Sequence, residues 1–230
     1  MAKTLKKTSA HQRKIHQDNK LFNYYLVISD FIDKNKKYFY SALLIILVVV
    51  VVAILYVKKK SSENEEASAE LMKVRQVYLT GAYDQAIYGD SLGQSRGLLF
   101  IVDNYGSTES GETAKILLAN SFMALKDYDK AEYYYKDYSG RVEYLKAASH
   151  SGLGSVYEAK GDYTNAAKEF EKAYKVNKEQ LNSDEYLFNA IKNLYLAKDY
   201  EGTKKLIEEF KTEFPKSKYL GQLERYSPPK

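Results

Sequence analysis

The sequence predicts an all-α protein, a single transmembrane helix near the N-terminus followed by an α-solenoid of about four helical hairpins. Three observations predict it. An uncharged apolar stretch of twenty residues runs from Tyr38 to Val57. Four short related segments recur downstream at a spacing that suits helical hairpins. All three prolines (Pro215, Pro228 and Pro229) stand near the C-terminus, so no upstream segment is barred from helix by a missing amide.

Residues 1–37 read as a basic tail ending in an amphipathic segment, in which Leu21, Tyr24, Tyr25, Ile28, Phe31 and Ile32 recur at helical spacing. Residues 1–57 hold nine basic and three acidic side chains, a charge of +6, which leaves −1 for the remainder. The basicity therefore belongs to the tail. The balanced remainder offers no nucleic-acid surface, and no nucleic-acid partner is expected. Zero cysteines excludes disulfides, cysteine-ligated zinc and thiol nucleophiles together.

Residues 38–57, YFYSALLIILVVVVVAILYV, form the transmembrane helix. Twenty residues at ~1.5 Å each span ~30 Å, the hydrocarbon thickness of a bilayer. Lys36 and Lys37 precede the stretch and Lys58, Lys59 and Lys60 follow it, so both ends can reach headgroups. Tyr38, Tyr40 and Tyr56 suit the two interfaces. The run is too long for a signal-peptide core, and KKKSSENEE after it offers no small-residue cleavage site, so an uncleaved anchor is expected. Basic residues close to the span are balanced. The basic excess over the whole short tail places the N-terminus in the cytoplasm and the larger part outside. Residues 58–65 read as a polar connector.

Residues 66–226 read as the repeat domain and 227–230 as a frayed tail. The repeated segments are GAYDQAI, KDYDKAE, GDYTNAA and KDYEGTK; their tyrosines, Tyr83, Tyr128, Tyr163 and Tyr200, lie 45, 35 and 37 residues apart. Each falls between two helix-patterned stretches and marks a hairpin turn made by Gly or Lys-Asp. In the clearest copy Leu153, Gly154 and Tyr157 share one face of the first helix, and Ala166, Phe170 and Ala173 one face of the second. The copy before it carries Leu118, Ala119, Phe122, Tyr128, Ala131 and Tyr135, with Tyr138 at a usually small position. The last copy has Leu194, Tyr200 and Ile207 and closes at Pro215. The first keeps Tyr83 and Ala86, then an insertion around Gly89 to Gly97 before a helix from Leu98 to Val102. A terminal helix, Lys218 to Tyr226, is expected to cover the last open edge.

These residues resemble the tetratricopeptide repeat family, whose pattern is L-G-x2-Y, then A-x3-F and a further small residue. The resemblance covers roughly residues 65–215. It implies hairpins stacked with a concave face that holds protein partners. Faces opposite the packing residues put Asn120, Met123, Ser155, Glu158, Asn189 and Lys192 in that groove. Chaperone-binding members hold a C-terminal carboxylate with lysine and asparagine side chains. Asn120 and Asn189 stand on the corresponding face here, but Ile116 and Phe188 occupy the positions one turn earlier where the lysines are needed, so the clamp does not carry over.

The whole layout, with SDFIDKNKKYFY leading into one span and then repeats, resembles the YfgM family, ancillary subunits of the bacterial Sec translocon. That resemblance implies a bacterial inner-membrane protein with its repeats in the periplasm. Its partners would be translocon subunits, a periplasmic chaperone or unfolded secretory clients. A cytosol-facing receptor or an envelope-assembly scaffold stands as the alternative.

No catalytic, cofactor or metal site is predicted. His11 and His16 are spaced by five, poor for chelation from one helix face, and His150 stands alone. LGQSRG follows no strand, so it is no nucleotide loop, and GLGSVY places Ser155 in mid-helix rather than on a nucleophile elbow. Glu208 and Glu209, near Lys204 and Lys205, read as a solvated charged face.

Overall fold

A computed structural model of the chain describes residue 22 and residues 24–90, 93–176, 178–179 and 181–229. Most of the basic tail, with His11 and His16, Leu21 of the amphipathic segment and Lys230 of the C-terminal tail lie outside these. Every regular element among the described residues is a helix. The chain divides into two compact units, one ending at Lys59 and the other running from Lys60 to the C-terminus.

In the first unit, residues 24–34 form helix α1. Asn35 interrupts it, and its backbone N–H and side-chain amide both donate to the Phe31 carbonyl, at 3.1 and 2.9 Å. Helix α2 follows, Lys36–Leu79. Its apolar part has no buried residue, and side chains from Leu43 to Val57 stand about half exposed or more. By length and composition α2 is the one described helix able to cross a membrane. It does not stop at Val57. The stretch 58–65, expected as a connector, is helical, and α2 continues through it to become the first helix of the first hairpin. SSENEEASAE holds no proline or glycine to break the helix.

Among the described residues the second unit holds four hairpins. The C-terminal part of α2 pairs with α3 (Tyr83–Tyr88) and α4 (Gly97–Tyr105). Then come α5 (Glu109–Ala124) with α6 (Tyr128–Asp137), α7 (Glu143–Ala159) with α8 (Tyr163–Val176), and α9 (Ser183–Leu196) with α10 (Tyr200–Glu213). The four turns share one geometry. Gly81, Lys126, Gly161 and Lys198 each take a left-handed backbone, with φ of 80°, 62°, 79° and 62°. After the last three, the next N–H closes back on the preceding helix: Asp127 donates to Phe122 O, Asp162 to Tyr157 O and Asp199 to Leu194 O, each at 2.9 Å. The same aspartates then cap the following helix by accepting from Lys130, Asn165 and Gly202 N–H. Ala82, at the corresponding place in the first turn, has no such side-chain bond.

Glycine adopts the left-handed region without the Cβ penalty of ~1–2 kcal/mol that Lys126 and Lys198 carry. Lys126→Gly and Lys198→Gly are therefore expected to stabilise the chain by ~0.5–1 kcal/mol each, after the flexibility gained by the unfolded chain is set against the relief. Thermal melts followed by far-UV circular dichroism check this. A fall in melting temperature would mean that the lysine side chains contribute more than their backbone costs.

The first hairpin departs most from the others. Its second helix is split into α3 and α4, and Gly97 crosses close beside the backbone of Ile87, Tyr88 and Gly89. Gly89 and Gly97, at φ 93° and 85°, make the crossing possible: a Cβ on Gly97 would lie 2.5 Å from Ile87 O. Asp90 holds the loop by accepting the N–H groups of Gln94 and Ser95 at 2.9 and 2.7 Å. The expected terminal helix is a 3₁₀ helix, Leu220–Tyr226. It buries Leu223, and Tyr219 and Tyr226 pack on Phe188 by stacking and by an edge contact. Residues 227–229 carry no helix.

Side chains in this unit form two apolar clusters, the first from Ala67 through Val156 and the second from Ala147 through Leu223. Helix α7 belongs to both. Leu145, Leu153 and Val156 face the first and Ala147 the second, while Tyr157 touches each.

Candidate functional site

The residues expected to pack the repeats are placed as follows. Leu118, Ala119, Phe122, Ala131, Tyr135, Leu153, Gly154, Ala166, Phe170 and Ala173 are buried, Tyr157 is half-buried within α7, and Tyr128, Tyr163 and Tyr200 are half-buried at the turns. Aromatic rings fill the spaces that small residues leave. Phe122 stacks on Tyr134 at 5.7 Å. The Phe170 ring lies so close to Gly154 that a Cβ there would approach it to 2.8 Å. Tyr135 crosses beside Gly152, where a Cβ would meet its ring at 2.2 Å, and its hydroxyl donates to Asn120 Oδ1 at 2.5 Å.

That last bond bears on the expected groove, because Asn120 is already engaged. Of the other five groove positions, Met123, Ser155, Glu158 and Lys192 are likewise packed or engaged. Met123 packs, half-buried, against the first cluster. Ser155 donates to Ser151 O in its own helix at 3.1 Å. Asn189 is half-buried, and its backbone carbonyl accepts from the Asn193 side chain, a bond that leaves the Asn189 amide group itself uninvolved. Glu158 and Lys192 are brought together across the third and fourth hairpins, 2.9 Å apart, with buried Asn193 donating to the second Glu158 oxygen at 2.8 Å. Their charges join the two hairpins.

A second ionic set joins α6 to α7. Glu132 accepts from Lys136, Lys160 and the Tyr157 hydroxyl, and Lys160 also reaches Asp129 at 2.7 Å. Hydrogen bonds from Lys136 and Lys160 hold the Glu132 carboxyl down to about 2, from an ordinary 4.5. A depressed folded value contributes stability that is complete above the unfolded value and is lost as pH falls. Glu132 thus contributes fully above pH 4.5, and its contribution fades as pH drops through about 2. Glu132→Gln is expected to flatten the acid limb of melting temperature against pH over that interval. An unchanged acid limb would show that Glu132 is not coupled to folding.

A cleft in the second unit lies elsewhere, between α6, α7 and α8. It has a volume of about 560 Å³ and contains Lys136 from α6, Lys146 and His150 from α7, and Glu169 and Lys172 from α8. The imidazole Nδ1 of His150 lies 2.8 Å from Glu169, whose other oxygen is 2.6 Å from Lys172. Burial pushes the Glu169 carboxyl up, but the bonds from His150 and Lys172 outweigh it and leave the group below its usual range. The sequence reading missed this cleft. Its lysines lie on three different helices and each reads locally as a solvated charge; only their assembly makes a site.

Among the described residues no three His, Asp or Glu side chains converge to hold a metal ion. No family model matches the chain, and no curated protein does. Two crystal structures of a kinesin light chain-like protein from Podosopora anserina, made of nearly identical TPR-like repeats, are similar in fold. One, a Q17M form, has a TM-score of 0.55 at 13% identity and covers 71% of this chain and 87% of its own. The other has a TM-score of 0.54 at 12% identity, with the same coverage. At such identity the likeness concerns the fold. The helices of the second unit form a TPR-like solenoid.

Proposed function

We propose that this chain is a membrane-anchored protein–protein interaction scaffold, a chaperone-like accessory of the Sec translocon that helps secreted proteins in the periplasm. One observation carries the reading. One described helix, α2, is uncovered and uncharged over residues 38–57, then enters a TPR-like unit whose own hydrophobic side chains are well packed. Roughly half-exposed Leu, Ile and Val over five turns are costly in water, and a bilayer removes that cost. Repeats that bury their faces against one another leave extended surfaces for proteins, so binding rather than catalysis is the activity.

The layout of tail, span and repeats, which resembles the YfgM family, supports the bacterial inner membrane as the location. It also supports translocon subunits, a periplasmic chaperone or unfolded clients as partners. The basic tail supports an N-terminus in the cytoplasm. Co-purification tests the reading: the tagged full chain, extracted in detergent, is expected to bring down translocon subunits, and recovery of none counts against it. Protease added to intact spheroplasts is expected to digest the repeat domain. Full protection would transfer the same scaffold to the cytosolic face.

A further inference from the structure

We propose that the cleft between α6, α7 and α8 receives an acidic peptide segment of a partner protein, with Lys146 as its principal contact. The proposal rests on the scaffold reading and deepens it by naming the chemistry of what is bound.

The argument begins with charge. Lys136, Lys146 and Lys172 reach the cleft from three successive helices in two adjoining hairpins. The carboxylates nearby are already engaged. Glu169 is held by His150 and Lys172, and Glu132, beside Lys136, is held by Lys136, Lys160 and Tyr157. Lys146 is different. It is exposed and has no carboxylate within ion-pair reach among the described residues. The cleft therefore keeps an excess positive charge that no side chain of its own neutralises, and the field favours an anionic occupant.

Shape then selects among anions. The cleft is open and much larger than a single carboxylate, within the ~300–1,000 Å³ common for ligand sites. Its floor carries the buried side chains of Tyr135 and Leu153, which offer apolar contact to the backbone and methylenes of a passing chain. At Gly140 and Ser149 the wall carries little side-chain bulk. An extended segment with acidic side chains uses both the rim charge and the apolar floor. A small free anion would use only the former.

Fluorescence anisotropy tests this on the detergent-solubilised full chain, using a fluorescein-labelled octapeptide of alternating glutamate and serine. A glutamine–serine peptide is the uncharged control. The glutamate peptide is expected to bind and the glutamine peptide not to. Lys146→Glu should weaken binding at least about tenfold. Lys205→Glu, the same charge change at an exposed lysine of α10 outside the cleft, should leave it nearly unchanged. Both lysines are exposed, so both variants should melt as the parent does. Absence of binding by the parent, or equal weakening by the two variants, overturns the proposal. The same Lys146→Glu chain, tagged, separates this from the broader reading. If it still brings down protein partners while the peptide does not bind the parent, the cleft assignment fails and the scaffold stands. Peptide binding without any co-purifying protein would do the reverse.

Discussion

Phe170→Ala lowers the stability of the repeat unit by about 3–5 kcal/mol, the range for removing a fully buried aromatic side chain. Phe170 is 2% exposed, on α8, and its ring lies over Gly154 of α7 among Ala147, Ala166, Ala173 and Leu187 of the second cluster. The alanines among these have no rotamers with which to refill the space, so a cavity persists. The pair Phe170 and Gly154 also makes a sign-changing prediction. In the parent, Gly154→Ala forces a methyl to within 2.8 Å of the ring and is destabilising, despite the gain of up to ~1 kcal/mol from helix propensity. With Phe170→Ala already present, the same methyl enters vacant space, and Gly154→Ala becomes stabilising. Urea unfolding of the four chains, followed by far-UV circular dichroism in detergent, measures the coupling. Additive effects would show that the ring and the glycine do not constrain one another.

Lys115→Met is the second large effect, about 3 kcal/mol destabilising, and it depends on charge instead of volume. Glu112 and Lys115 lie on α5 with side chains only 10% and 9% exposed, their charged ends 3.1 Å apart. Lys115 also reaches the Asp137 carboxylate at 2.9 Å and its carbonyl at 3.1 Å. Glu112 in turn accepts from the Ser139 N–H and hydroxyl, both at 2.8 Å. The cluster thereby fastens the end of α6 and the start of the next connection to α5. Methionine preserves the aliphatic stem but leaves the Glu112 carboxylate buried without its cation, a loss that costs ~3–5 kcal/mol where nothing compensates. Ser139 compensates in part, which places the expected value at the lower end. Adding Glu112→Gln removes the stranded charge and should recover most of the loss. Recovery of none would assign the effect to Asp137 alone. Burial acts to lower the Lys115 pKa, but the hydrogen bonds that Lys115 donates to Asp137 and Glu112 outweigh it and raise the group above its ordinary 10.5. The contribution of Lys115 is thus complete below pH 10.5 and is lost as pH climbs through its raised folded value. The alkaline decline in melting temperature should accordingly be shallower in Lys115→Met.

Several features were legible because they are local. An uninterrupted apolar run shows its length and its lysine flanks without reference to anything distant. The turns show themselves by Gly or Lys-Asp followed by tyrosine, because a left-handed residue followed by a capping aspartate is a requirement met within five residues. Small residues opposite aromatics, such as Gly154 and Phe170, follow from helical periodicity. The connector at 58–65 misled for a related reason. Polarity marks a solvated stretch but does not distinguish loop from exposed helix, and only the absence of glycine and proline hinted at the latter.

By itself, then, the chain's order of residues determined the helical class, the four hairpin turns and the apolar stretch, since each depends on backbone preference and on neighbours within a turn or two. Tertiary structure alone decided which polar groups remain available. Asn120 was taken by Tyr135, Glu158 by Lys192 and Asn193, and Glu112 by Lys115 and Ser139, through contacts between side chains up to 35 residues apart and, for all but Lys115, on different elements. It likewise assembled Lys136, Lys146 and Lys172 around one cleft. Hydrogen bonds and ion pairs are short-ranged and saturable, so a side chain's availability depends on the partners that packing brings within about 3 Å.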